Sequence, residues 1–350
     1  MERHASRIAD SCLIDPADWR QEHALGRNDM LASGSALKEA VPSFELIDTV
    51  QTMSDYRRKW ASYELIRKLG KEERIKRGIG ISFVYQGNGF LSYGADKGNY
   101  SVELTLEKDG SLEIKTSAVS GSRSAADLWR GVAAELLSLD DKQVRIAENR
   151  TDMVPDSGPS SLSRNIAIIT KLIERCCVAI RKQRFRDPLP ITIKRTYRAP
   201  KSVSWEGLKM EGNPFALFSW AASVVELEVD PLDYCAKVRG VYLAVDGGRI
   251  LSESKARSSL EIASHHALSW ASREMITKTP LAYDMAAPSE APKVTIDFAW
   301  NDTLSSKGIG ELPFACIPAA YAQALSQALD SSFDSLPILP IDIRNAVEGL

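Results

Sequence analysis

The chain has 350 residues, 44% hydrophobic and 26% charged, with a formal net charge of −2. That length supports a sizeable core in two lobes, and the mixed, near-neutral charge excludes the basic footprint of a nucleic-acid binder. No apolar run approaches the ~20 residues that span a bilayer, and the polar start "MERHASRIAD" lacks the apolar centre of a signal peptide, so a cytoplasmic location is expected.

Residues 1–75 read as a helical, loop-rich segment that packs on the lobes. "DPADWR" opens a helix with Pro16 at its first position. "SDYRRKWASYELIRKLG" follows as a helix over 54–70, with Ser54 as cap and Tyr56, Trp60, Tyr63 and Ile66 at helical spacing. Residues 76–200 form a first α+β lobe. It holds a strand over 78–85, a hairpin over 100–116 turning at Asp109-Gly110, and a helix with Ala126, Trp129, Val132, Ala133 and Leu136 on one face. A short strand over 143–148 and a helix with an apolar stripe from Ile166 to Ile180 complete it.

Residues 201–350 form a second α+β lobe. A long hairpin covers 222–248, a helix 258–274, and a strand 293–300. A last helix covers 313–329, with Phe314, Ile317, Tyr321, Ala324, Leu325 and Ala328 as its apolar side. The expected class is α+β, two lobes that each have antiparallel strands packed by helices.

The five cysteines show no C-x-x-C spacing and read as reduced, mostly buried thiols. His265 and His266 point to different helix faces, which suits a structural pair better than a metal site. No metal-ligand set is expected within the chain.

Three stretches can carry chemistry. "VSGSRSAAD" (119–127) and "SGPSSLSRN" (157–165) each bring glycine, serines and an arginine to a helix start. Free N–H groups and the helix dipole favour an anion there, while serine is also the ordinary N-cap. "SSKGIGELPF" (305–314) places Glu311 between a glycine turn and the helix-opening Pro313. A carboxylate at that point serves either as a general base or as a first-turn acid that stabilises its own helix.

Longer motifs discriminate between these readings. "SKGIGELPFACIPAAYAQALSQAL" fits S-K-x-x-G-E-x-P followed by an alanine-rich helix, and "LPILPIDIRNAV" fits L-P-x-x-P-x-x-I-R-x-A. "VPDSGPSSLSRN" fits V-P-x-S-G-x-x-x-A-S-R, and "VVELEVD" and "AVDGGRI" fit E-V-x-V-D and V-D-x-G-R. "DPADWRQEHAL", "RRKWASYELIR" and "KRGIGISFVYQGNGF" fall in the matching order. In this order the motifs resemble the C-terminal half of the molybdenum-cofactor (molybdopterin)-binding subunit of the xanthine dehydrogenase/aldehyde oxidase family.

The resemblance implies oxidative hydroxylation of a purine, an N-heterocycle or an aldehyde, with oxygen taken from water. It implies a molybdenum–molybdopterin cofactor, with or without an added cytosine nucleotide, and a base at the position of Glu311. Cofactor contacts carry over to Gly121, Ser122, Arg123 and Ser124, where M-G-Q-G usually stands. They also carry over to Ser161, Leu162, Ser163 and Asn165, and to Ser259 at the start of the usual Q-x-E-G. Two family glutamines are thus replaced, and Leu162 stands for a small residue. Arg123 either pairs with the cofactor's phosphate or nucleotide tail or fills a vacant pocket. The family's earlier G-G-x-F-G-G-K and R-G-F-G motifs are absent, so a partner subunit is expected to supply the front half of the site, with iron–sulfur clusters and FAD on further subunits. The alternative is a non-catalytic, cofactor-free paralogue that stabilises such a partner.

Overall fold

The computed structural model describes residues 1–69, 74–89, 100–118, 123–160, 163–198, 203–215, 217–276, 283–299 and 305–350. Within them the β-branched runs of the second half make the larger sheet. β8 (Leu217–Asp230) and β9 (Cys235–Asp246) pair as a long antiparallel hairpin with a bulge after Glu226. β1 (Lys76–Asn88) adds antiparallel to β8, and β10 (Val294–Phe298) adds parallel to β9. The sequence places β1 in the first lobe; its pairing with β8 puts it in the sheet of the second.

β1 works as an edge strand because its alternation serves two layers. Ile79 and Ile81 face the core under α3 (Ser43–Ser54), alongside Leu46, Ile47 and Val50. Gly78 and Gly80 face α8 (Leu312–Leu329), where a Cβ would lie 1.9 Å from the Ala324 carbonyl oxygen or 2.1 Å from that of Ala320. An edge strand leaves every second N–H without a strand partner. Here Gln327 Oε1 accepts from Ile79 N–H at 2.9 Å, and Gln323 Oε1 accepts from Ile81 N–H at 2.7 Å. Gly80→Ala sets a methyl group against backbone that cannot rotate away, so it is expected to cost at least the ~1–3 kcal/mol of ordinary overpacking. The check is the denaturant midpoint, with Gly131→Ala as control, since a Cβ at Gly131 meets open space.

The smaller sheet follows the same plan. β2 (Ser101–Leu106) and β3 (Leu112–Lys115) form the expected hairpin, with Gly110 at φ +84. β5 (Ile191–Thr196) lies antiparallel to β2, and β4 (Val144–Ile146) lies parallel to β3. α5 (Arg123–Leu137) and α6 (Thr170–Gln183) cover one face, burying Trp129, Ile173, Cys176 and Cys177. The expectation of antiparallel strands is corrected at one pair in each sheet. β4 is reached from β3 through α5, and β10 from β9 through α7 (Glu253–Ser272). A strand reached across a helix returns in the same direction as the one it left. The two lobes therefore share a strand–strand–helix–strand–helix order, and the α+β class holds.

The N-terminal segment supplies α1 (Glu2–Ser11), α2 (Pro16–His23), α3 and α4 (Tyr56–Lys68). Asp15 caps α2 by accepting from Ala17 N–H at 2.7 Å. Ser54, expected to cap α4, is instead the last residue of α3, and its Oγ donates to the Val50 carbonyl. Asp55, left-handed at φ 54, separates the two helices. Phe314, expected on the buried side of α8, is 38% exposed.

Cys176, Cys177 and Cys316 are buried, and burial pushes each thiol up to about 12, whereas Cys12 and Cys235 are exposed. His265 is buried with Nε2 3.1 Å from the Ala286 carbonyl oxygen, and His266 is exposed. Among the described residues no helix is long and apolar enough to cross a membrane.

Candidate functional site

The turn that carries Glu311 is held at three points. The first is Lys307, whose side chain is 1% exposed. Its Nζ lies 2.9 Å from Asp246 Oδ2 and 3.2 Å from Glu39 Oε2. Asp246 ends β9 and also accepts from Gly248 N–H. The lysine of "SKGIGE" and the aspartate of "VDGG" are thus two ends of one buried ion pair.

The second point is Gly308. Its N–H donates to Asn88 Oδ1 at 2.9 Å, and its carbonyl accepts from Ser219 Oγ at 2.7 Å. A Cβ at Gly308 would fall 2.0 Å from the Ser163 Cβ, so only glycine fits between the turn and the 163 segment.

The third is Glu311 itself, the residue just before α8. Its N–H donates to Gln86 Oε1 at 3.1 Å. Gln86 Nε2 in turn donates to Ser163 Oγ at 2.9 Å. Ser163 is left-handed at φ +60, and its carbonyl accepts from Ile166 and Ala167 N–H at the entry to α6.

The turn borders two depressions. On one side is a cleft of about 300 Å³ between the lobes, where serines, Asn165 and cationic side chains share the lining with Leu128, Ile166, Ile250, Leu251 and Ile309. Ser163, Asn165 and Ser259, expected from two distant stretches, meet there with Gly308 and Gly310 of the turn. Lys255 and Arg249 lie at its border, and each is held by a carboxylate of the smaller lobe: Lys255 by Asp127 at 3.2 Å, and Arg249 by Glu174. Hydrogen bonds from Arg130 and then Lys255 hold the Asp127 carboxyl below its ordinary value. Arg123 and Ser124 open α5, whose Ala125 and Leu128 line the same cleft. Gly121, Ser122, Ser161 and Leu162 lie outside the described residues.

On the other side is an open depression of about 730 Å³, walled by Tyr85, Phe215, Trp270 and Phe314. Glu311 lines this side, exposed at its edge. Glu274, which accepts from the Tyr283 hydroxyl, also lines it. An aromatic wall with carboxylates suits a planar or apolar small molecule brought up to an acid–base group. Among the described residues no group of three or more His, Cys, Asp or Glu side chains could hold a metal ion.

Sequence reasoning missed Gln86, Asn88, Lys255 and Arg249. A signal for the first two exists. Ser82, Gln86 and Asn88 share one face of a strand at period two, and all three are buried, so polar side chains on that face need partners.

Residues 49–187 match the model of the molybdopterin cofactor-binding domain. That match takes in less than half of the chain. The matched span runs from α3 to just beyond α6 and does not include Glu311. The likeness to curated and solved relatives covers the rest. An aldehyde oxidoreductase of Megalodesulfovibrio gigas is 22% identical over 98% of this chain and 39% of its own length. The 6-hydroxypseudooxynicotine dehydrogenase complex subunit gamma of Paenarthrobacter nicotinovorans is 19% identical over 79% of this chain and 40% of its own. The solved aldehyde oxidoreductase from Desulfovibrio gigas superposes with a TM-score of 0.85 at 20% identity, over 99% of this chain and 40% of that one. The chain therefore has the fold of that segment, and it spans about two fifths of the length of these relatives. The cleft is the part whose donors suit an anionic group: hydroxyls that include Ser259, an amide, and the start of α7 with Ser252 as its N-cap residue.

Proposed function

We propose that this chain supplies one part of a molybdenum hydroxylase site, with Glu311 as its base. The observation that carries the reading is the turn at 307–311. It has a cleft with serine, asparagine and cationic side chains on one side and an aromatic depression holding the carboxylate on the other. Ser163, Asn165 and Ser259 would hold the anionic end of a molybdenum–molybdopterin group, with Arg123 and Ser124 at the neighbouring helix start. Bound there, the group supplies two-electron oxidation of the substrate.

The chain's own residues do the rest. Tyr85, Phe215, Trp270 and Phe314 orient an aldehyde, purine or N-heterocycle and exclude water from one face of it. Glu311 takes up the proton released as the oxygen nucleophile, derived from water, attacks. The buried Lys307–Asp246 pair holds the turn still while this happens. The reading includes a partner subunit that completes the site, and iron–sulfur and FAD subunits that carry the electrons away. The relative named as subunit gamma of a complex supports that arrangement.

A second reading has one observation in its favour. Lys255 and Arg249 at the cleft border are already paired with Asp127 and Glu174. A cofactor-free paralogue that stabilises a partner would have its cleft neutralised in this way.

Co-expression with the neighbouring reading frames separates the two. The purified complex is expected to contain one molybdenum and one pterin per chain. A stable complex that stays free of both under molybdate-replete conditions would establish the second reading and end the first.

A further inference from the structure

Gln86 lies on β1 between the two depressions and is 7% exposed. Both ends of its amide are engaged. Oε1 accepts from the Glu311 N–H, and Nε2 donates to Ser163 Oγ at 2.9 Å and to Asn88 Oδ1 at 3.4 Å. The orientation is forced by these neighbours, because the reverse one would set the amide NH₂ against the Glu311 N–H, donor against donor.

Ser163 is the other end of the link. A non-glycine residue at φ +60 keeps that conformation only while its surroundings hold it. It borders the cleft and packs on Gly308 with no room for a methyl group. A displacement of Ser163 is therefore felt at both ends of the turn, by contact at Gly308 and through Gln86 at Glu311.

We propose that Gln86 is a positioning residue that sets the start of α8, and with it Glu311, according to the state of the 163 segment beside the cleft. This rests on the reading of Glu311 as the base and of the cleft as the cofactor's seat. Gln86 does not line the cleft but borders the aromatic depression beside Glu311, and it transmits the position of Ser163 to Glu311. Filling the cleft and aligning the carboxylate become one event.

The test is site-resolved amide hydrogen exchange on the full chain, with Gln86→Leu, Ser163→Ala and Gln86→Glu. A net hydrogen bond of ordinary strength predicts that the Glu311 amide exchanges about 3- to 10-fold faster in Q86L, while the amides of Tyr321 and Val225 are unchanged. S163A should raise exchange at the same amide by a smaller factor. In Q86E the new carboxylate still accepts from the Glu311 N–H and accepts from the Ser163 hydroxyl, so protection should return.

An unchanged Glu311 amide in Q86L overturns the proposal. So does a uniform rise across β1 and α8, which is the mark of a merely structural role. An S163A chain with native exchange at Glu311 overturns the link to the cleft. In the assembled enzyme, Q86L is expected to lower kcat about tenfold at constant KM. Native kcat combined with the local exchange change would support the positional link and count against Glu311 as the base, so the two ideas fail separately.

Discussion

Glu311→Gln is expected to lower kcat of the assembled enzyme by about 10²–10⁴-fold, the ordinary worth of a positioned general base. Glutamine keeps the size of the side chain and leaves the backbone bond to Gln86 in place. It removes only the capacity to take up a proton. The carboxylate lies across the turn from the cleft, so molybdenum and pterin content should stay at the native level. KM should also hold, because an interaction made only in the transition state leaves ground-state binding alone. Turnover, metal content and KM measured on the same preparation check this. Native turnover in E311Q would remove Glu311 from the mechanism, and loss of metal would make it a structural acid of the turn.

The candidate base was legible because the information is local. A glycine turn, an acid and a proline within ten residues define a helix start, and the S-K-x-x-G-E pattern raises that acid above the ordinary first-turn kind. The cleft was half legible. "SSLSRN" and the Ser259 region read separately as binding stretches, and the structure brings Ser163, Asn165 and Ser259 together.

What joins them lies at long range and leaves no mark on spacing. Gln86 is 225 positions from Glu311, and Lys307 is 61 from Asp246. Nothing in one dimension says that a lysine beside a glycine turn will be buried against an aspartate at a strand end. The misplacement of β1 has a related cause. Consecutive strands are usually neighbours, so "GIGISFVY" reads as part of the hairpin that follows it. The α8 backbone on which its glycines sit, and the glutamines that cover its edge, lie more than two hundred positions away.

Lys307→Met is expected to destabilise the chain by about 3–5 kcal/mol, the cost of leaving one member of a buried pair without its partner. The Lys307 side chain is 1% exposed and that of Asp246 0%, so water cannot replace the lost cation. Glu39, 24% exposed, can turn outward and contributes less. Methionine keeps the length of the lysine stem, so the loss is one of charge and not of packing.

Adding Asp246→Asn tests this account. The amide removes the orphaned charge and still accepts the Gly248 N–H through its carbonyl oxygen. The double variant should therefore be more stable than K307M alone, a non-additivity of about 0.5–3 kcal/mol expected for contacting groups. Denaturant midpoints of the two single variants and the double one give the cycle. If K307M unfolds within about 0.5 kcal/mol of the native chain, as exposed substitutions do, the pair is not what anchors the turn. If K307M is strongly destabilised and the double variant recovers, the buried ion pair is the anchor, and a recovered fold with low turnover would then show that the charge pair also holds Glu311 in register with the cleft.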